Sequence, residues 1–429
     1  MKVAIIGSGI AGMTAAHYLH SHCEIMLYEK SHRLGGHTAT VDVNVNGREY
    51  AIDTGFIVYN ERTYPNFIRL MQALNVAVKP SDMGFSVSAP DRGLEYSGAG
   101  LNALFAQRKN LLSLTHWRMI RDILRFNKQA PKHLASGVVA DGTTLGEYLS
   151  KYHYSEAFKN HYLIPMGAAI WSAGTDTMLQ FPMQFFIRFF DNHGLLQIRN
   201  RPRWYVIEGG SRNYIAPLTA AFKEHIRPGS DIQAVRRTEQ GVEIVHKSGH
   251  IDYHDQVVFA CHSDEALALL ADGASKNENA ILSAMPYQNN EVVLHTDESL
   301  LPQRRSTWSS WNYQLRSYQQ NVVTLTYNMN ILHGIRAPVT FCVTLNNTAA
   351  IDKSRVLAIF NYAHPVFSLQ SVAAQQRWQD INGVNRSWFC GAYWRNGFHE
   401  DGVVSALHAV NGVLKSMKKP QLLVLSSYD

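Results

Sequence analysis

The chain opens on an apolar run from Val3 to Ile6, a glycine-serine turn and an amphipathic stretch from Ile10 to Leu19. A second apolar run, Ile25 to Tyr28, closes on Glu29. This order predicts strand, helix, strand, a βαβ unit. Residues 38–57 then alternate polar and apolar around Asn46 and Gly47, the signature of a hairpin, which ends in Asp53, Thr54 and Gly55. A helical period follows from Tyr64 to Leu74, then Pro80 and a strand-like FSVSA. Residues 101–165 read as mostly helical, WYVI before Glu208, Gly209 and Gly210 as a strand, and Tyr214 to His225 as a helix. Asp231 to Arg237, Gly241 to His246 and Val257 to Cys261 predict strands of a resumed first domain. Between residues 287 and 346, NEVVLHTD, NVVTLTYNMN and PVTFCVTLN predict a second sheet, with Trp308, Trp311 and Tyr313 among them. The last patterned stretch, WFCGAYWRNGFHEDG before VVSALHAVNGVLKSM, reads as a strand, a glycine, an acidic turn and a helix.

Two stretches carry more apolar surface than their elements need. From Leu111 to Lys132, Leu112, Leu114, Trp117, Met119, Ile120, Ile123, Leu124 and Phe126 alternate with Arg118, Arg121, Arg125, Lys128 and Lys132. Such a basic amphipathic helix either packs on a core with a solvated face or lies in a membrane interface. From Ile164 to Phe190 the chain is dense in Trp171, Phe181, Phe185, Phe186, Phe189 and Phe190, which suits a core or the lining of an apolar tunnel.

Composition narrows the class. With 429 residues, two or three interleaved domains are expected; 46% hydrophobic and 17% charged residues describe a globular chain. The net charge of +6 is not gathered into a tail, so no nucleic-acid partner is predicted. Cys23, Cys261, Cys342 and Cys390 lie far apart without CxxC spacing, which predicts reduced thiols, no metal site and a cytoplasmic protein. Met1 leads directly into the first strand, an arrangement without a signal peptide. No apolar run approaches the ~20 residues of a membrane span, so the expected limit is peripheral contact at the inner face of a membrane.

The chemistry starts at GSGIAG. Gly7 turns the chain out of the strand, Gly9 admits a diphosphate, and Gly12 lets helix and sheet pack closely, with Ser8, Ile10 and Ala11 between them. The diphosphate is expected on the helix N-terminus. Glu29 stands twenty residues past Gly9, where a carboxylate takes an adenosine ribose, with Lys30 beside it. Arg33, Leu34, Gly35, Gly36 and His37 follow at once. A second close approach with an arginine suits the longer FAD better than NAD. At the C-terminal turn, Asp401 reads as an ordinary helix cap or, given an FAD site, as part of a helix N-terminus facing the flavin pyrimidine.

GSGIAG, Glu29, RLGGH, the IDTGF segment and the glycine before the last helix resemble the flavin amine oxidase superfamily. YEKSHRLGGHTATV, NERTYPNFI, SDMGFSVS, LFAQRKNLL, AIWSAGTD, HGLLQIRNRPRW, WSSWNY, NMNILHGI and WFCGAYWRNGFHEDG are similar, in order, to the FAD-dependent oxidase domain in front of plant cyclopropane fatty acid synthases and its bacterial stand-alone relatives. The resemblance implies a bound FAD held by Gly7, Gly9, Gly12 and Glu29. It assigns Arg33, Gly35, Gly36 and His37 to the diphosphate and ribityl region, and Gly55, Phe56 and Ile57 to the isoalloxazine. Val235 would pair with adenine, and Gly391, Glu400, Asp401 and Gly402 would meet the ribityl chain and pyrimidine. Phe398 falls where monoamine oxidases carry a cage tyrosine, and His399 is the best titratable candidate for catalysis because it lies in the flavin-facing turn. The cysteine motif of covalent flavin attachment is absent, implying noncovalent FAD. So is the lysine of many amine oxidases, with Asn290 and Glu291 in its neighbourhood.

The expected fold is α/β, a Rossmann-like FAD-binding domain of amine oxidase or glutathione reductase type with an interleaved α+β substrate domain. Residues 1–80, 202–265 and 378–429 would form the first, 81–201 and 266–377 the second. The expected function is an FAD-dependent oxidoreductase moving a hydride to or from an apolar substrate, the acyl chain of a phospholipid. Two alternatives stand beside it: an amine oxidase using oxygen, and a noncatalytic flavoprotein partner of a fatty acyl methyltransferase.

Overall fold

The computed structural model describes residues 1–315 and 323–426. Five parallel strands form the first sheet, in the order Ile226–Pro228, Glu24–Glu29, Lys2–Ile6, Gln256–Phe259 and Ser387–Phe389. Val3, Ile5 and Val258 pack on one face against helices Ile10–Leu19 and His399–Ser416; Ala4, Ile6 and Phe259 pack on the other beneath Val235, Ile244 and Leu270. Burial on both faces is why these strands read as continuous apolar runs instead of alternating ones.

The two ends of the chain thus meet in one layer. A Cβ at Gly402 would stand 2.8 Å from the Ile10 side chain, so this glycine lets the last helix lie tightly on the first. The predicted hairpin is formed by Thr40–Val45 and Arg48–Asp53, with Asn46 at φ 53° and Gly47 at φ 81° in its turn. Asp53, fully buried, accepts from Thr40 Oγ1 at 2.5 Å and from the Ser211 amide at 2.9 Å, and lies 3.3 Å from His333 Nε2. One carboxylate therefore ties the hairpin to both halves of the molecule.

The second sheet has seven strands, ordered Val356–Pro365, Tyr287–His295, Cys342–Leu345, Leu325–Asn328, Trp311–Gln314, Phe85–Ala89 and Leu94–Ser97. All neighbours are antiparallel except Trp311–Gln314 with Phe85–Ala89. Helices Leu114–Ala135, Ile164–Trp171 and Met183–Asn192 share its largest core.

Several expectations change. The helix expected over Tyr214 to His225 is only Ile215–Thr219 between two 3₁₀ turns, because Phe222 leaves helical geometry (φ −135°) and buries its ring. Asn321 and Val322 of the expected NVVTLTYNMN strand lie outside the described residues. Strands Ile251–His254 and Val356–Pro365 escaped the sequence reading; both mix polar and apolar residues on partly exposed edges. The aromatic stretch Ile164 to Phe190 is mainly core: Phe181, Phe186, Phe189 and Phe190 are each at most 3% exposed. No helix among the described residues is long and apolar enough to cross a membrane.

Candidate functional site

A cavity of about 860 Å³ starts at the C-terminal ends of the first two strands and continues beneath the second sheet. That is the edge where doubly wound sheets take their ligands, and the volume lies within the range of small-molecule sites.

Gly7, Ser8, Gly9, Ile10 and Ala11 line its first end. Gly7 sits at φ 103°, where a Cβ would stand 2.9 Å from the Ala260 carbonyl; at Gly12 a Cβ would fall 1.8 Å from Gly7 O. These two glycines serve the chain's own packing. At Gly9 a Cβ would meet nothing within 4 Å, so this glycine keeps space open for something else. The helix beginning at Ile10 has no side-chain cap, which leaves its first N–H groups and positive dipole end for an anion.

Glu29 also lines this end. It accepts from the Ser8 amide at 2.8 Å, Ser8 Oγ at 2.6 Å and the Ser31 amide at 2.8 Å. Its two oxygens offer about four acceptor positions, so one remains for a ribose hydroxyl. Lys30, Gly35, Gly36 and His37 line the cavity, but Arg33 does not. Its guanidinium donates to the carbonyls of Thr38 and Gly36, each at 2.7 Å, bracing the loop instead of facing a ligand.

Gly55, Phe56 and Ile57 line the middle of the cavity. A Cβ at Gly55 would stand 2.1 Å from His37 O, so glycine is required there by the crossing of two loops. Gly391 also reaches the cavity, with its amide held by Ser405 Oγ at 2.9 Å.

Beside Arg33 and Gly12, four more assignments need correction. Val235 is buried within its own sheet and does not line the cavity; Ser230, Asp231 and Ile232 do, three to five residues earlier on the same segment. Glu400 is fully buried facing elsewhere: it accepts from the Asn66 and Phe67 amides at 3.0 and 2.8 Å, capping helix Pro65–Ala73. Burial raises its carboxyl to about 7. Asp401 accepts from the Phe398 and Asn396 amides at 2.9 and 3.2 Å, so the cap reading holds for it. Gly402 serves helix packing, as described above.

His399 lines the cavity wall, yet its ring is stacked on Phe56 (centroids 3.6 Å apart), and Nε2 sits 3.1 Å from Thr38 Oγ1 and 3.2 Å from the Tyr214 hydroxyl. Burial lowers its pKa to about 3. A neutral, wedged imidazole is a positioning residue and not an acid or base near neutrality. Phe398 does face the cavity and stacks on Phe189 at 5.2 Å.

Sequence reading missed the polar collar around the middle. His37, His262 and His364 approach one another, with His37 5.5 Å from His364 and 6.0 Å from His262, while Tyr287 stacks on His262 at 4.0 Å. Burial first, then mutual repulsion, lowers His37 and His364, the latter to about 4. Asn290 donates to His364 Nδ1 at 3.1 Å, so it orients this ring from behind without lining the cavity. Tyr362 and His364 share a face of the overlooked strand at a spacing of two, the one signal that recognition of that strand would have exposed. Among the described residues no cluster of three or more His, Cys, Asp or Glu could hold a metal ion.

The far end is lined by Ile170, Trp171, Trp311, Tyr327, Leu345 and Phe367. Every acidic lining residue, Glu29, Asp231 and Glu265, belongs instead to elements of the nucleotide half. The open space at Gly9, the uncapped helix and the acceptor position left on Glu29 fit a dinucleotide. The cavity space beyond them, lined by Gly55, Phe56 and Ile57, has room for a flavin.

Residues 5–74 match the family model of an NAD(P)-binding Rossmann-like domain. No curated protein matches the chain by sequence. Among solved structures, cyclohexylamine oxidase from Brevibacterium oxydans is similar at 15% identity and TM-score 0.66, covering 97% of this chain and 99% of that one. A fatty acid isomerase producing CLA, from P. acnes, is similar at 14% identity and TM-score 0.65, covering 96% and 98%. A putative protoporphyrinogen oxidase from Exiguobacterium gives 15% and 0.66, covering 97% and 99%. The chain has the fold of the FAD-dependent amine oxidases.

Proposed function

We propose that this protein is an oxidoreductase that binds FAD noncovalently and acts on an apolar substrate, the fatty acyl chain of a phospholipid. One observation carries the reading: a single cavity joins a cradle suited to a dinucleotide to an end walled by large apolar side chains, with no carboxylate there among the described residues. An amine cation in that end would lack a counter-charge, and desolvating an unpaired charge is costly. An acyl chain needs only apolar walls. The motif resemblance to the oxidase domain of cyclopropane fatty acid synthases supports the same choice, and the shared fold of a fatty acid isomerase is compatible with it.

Gly9 and the following helix N-terminus would hold the diphosphate, Glu29 the ribose, and Gly55 to Ile57 the ring. FAD, when bound, supplies hydride acceptance or donation. The chain's part is to orient and dehydrate. Trp171, Phe367 and Phe398 exclude water from the apolar end, and His399 fixes Phe56 against the cavity wall by its stack. Cys261 is the cysteine that lines the cavity, on the nucleotide side, and burial pushes its thiol well above the ordinary value, away from the thiolate needed for attachment.

The test is the visible spectrum of the FAD-loaded protein without oxygen, before and after addition of unsaturated phospholipid vesicles. Bleaching of the oxidised flavin bands by lipid is the expected result. A spectrum unchanged by lipid but bleached by amines would overturn the substrate assignment, and a chain that takes up no FAD would overturn the whole reading.

A further inference from the structure

The substrate half carries a corner that the function above does not use. Short helix Leu101–Leu104, turn Arg108–Leu112 and the start of helix Leu114–Ala135 come together there. Leu112, Leu101 and Leu114 are 91%, 78% and 75% exposed, and Leu111 and Trp117 are about half exposed. Single exposed leucines are ordinary; five large apolar side chains within residues 101–117 make a patch.

The patch is held open by ordered contacts. Trp117 Nε1 donates to Leu111 O at 2.9 Å and its ring lies 5.2 Å from Phe105. Ser113 caps the long helix through the His116 amide, and Arg108 donates to Asn102 Oδ1 at 2.7 Å. The leucines therefore cannot fold back onto the core without breaking these bonds. On the inner side, His116 and Met119 are buried.

Charge identifies what covers it. Residues 96–140 contain seven Lys and Arg and a single acid. That acid, Asp122, is 1% exposed, accepts from the Ser155 amide at 2.9 Å, and pairs with Arg125 at 3.3 Å. Lys109, Arg118, Arg121 and Lys128 stay exposed beside the leucines. Protruding leucines and a tryptophan ringed by cations, with no exposed acid between residues 96 and 140 and Asp91 at the edge beside Lys109, match a surface that is apolar in depth and anionic at its face.

We infer that this corner is a membrane-docking surface for bilayers carrying anionic phospholipid headgroups. Leu112 and Leu114 insert among the acyl chains, Trp117 sits at the headgroup level, and Lys109 and Arg118 contact phosphates. The inference stands apart from the proposed chemistry, because vesicle binding is read without flavin turnover.

The test is flotation of the full-length protein with vesicles of phosphatidylcholine alone or mixed with phosphatidylglycerol, at low and high salt. Binding should rise with phosphatidylglycerol and fall with salt. Leu112→Asp/Leu114→Asp should lower partitioning at least about tenfold, and Lys109→Gln/Arg118→Gln should abolish most of the preference for the anionic lipid. Thermal melting checks that each variant is folded; the cation variant decides the matter should the leucine variant unfold. Wild-type protein that stays with neither vesicle, or partitioning unchanged in both variants, would overturn the inference. So would a wild-type dimer that the leucine variant dissociates, since the patch would then be a protein interface.

Discussion

The two ends of the cavity are built in opposite ways. The nucleotide end is made of backbone: Gly7, Gly9 and Gly12 lie within six residues, and Glu29 follows one helix and one strand later. The apolar end is made of side chains from distant segments, with Trp171, Trp311, Tyr327 and Phe367 brought together by a seven-stranded sheet and its helices. Local backbone geometry can be specified by a short motif, whereas a shaped apolar wall is specified only by everything that packs behind it.

The largest predicted effect separates two glycines of one motif. Gly12→Val puts a Cβ onto Gly7 O, and because backbone cannot yield cheaply the loss should exceed about 3 kcal/mol. Gly9→Val has open space at its Cβ, so it should melt like the wild type while losing at least about a hundredfold in FAD affinity. Thermal melting with FAD titration distinguishes them, and equal melting temperatures for the two would break the comparison.

At the other end, Trp171→Ala should cost about 3 kcal/mol by opening a void beside Phe181 and Phe189, 4.4 and 4.7 Å away, with FAD uptake retained. Urea denaturation and FAD titration of the same sample test this. Loss of FAD binding in folded protein would mean that the two ends are coupled.

Acid should weaken the substrate half and its boundary. Burial holds His193, His295, His333 and His364 at about 4 and His399 at about 3. An unfolded imidazole binds its proton near 6.5, so this stability is fully present above pH 6.5 and is lost as pH falls toward 4. Asp53, raised to about 6, and Glu400, raised to about 7, have the opposite sign. Their contribution is present below the ordinary carboxyl range and is lost as pH rises through 6 to 7. Five histidines against two acids should leave a net loss of about 6 kcal/mol between pH 7 and 5, measured by urea midpoints. Flat stability over that interval would refute the neutral-histidine description.

The smallest effect is expected for His399→Phe. The stack on Phe56 survives, and Thr38 and Tyr214 keep each other as partners. Stability should fall by about 1 kcal/mol, and the pH profile of flavin reduction should not move. A profile that shifts would restore His399 as a proton-transfer group.

The sequence by itself determined the βαβ unit, the hairpin at Asn46 and Gly47, and the nucleotide cradle, because each depends on residues close in the chain and on glycine at backbone positions that admit little else. It could not decide which charged residue of a motif faces the ligand. Arg33 and Asp401 sit in motif positions yet bond to their own loop and helix start, and Glu400 caps the distant helix Pro65–Ala73. Only the tertiary structure decided that, and with it the collar of His37, His262 and His364, since these rings meet through strand pairing across hundreds of residues. Buried polar groups must find partners wherever the fold supplies them, and that search ends only when the chain has packed.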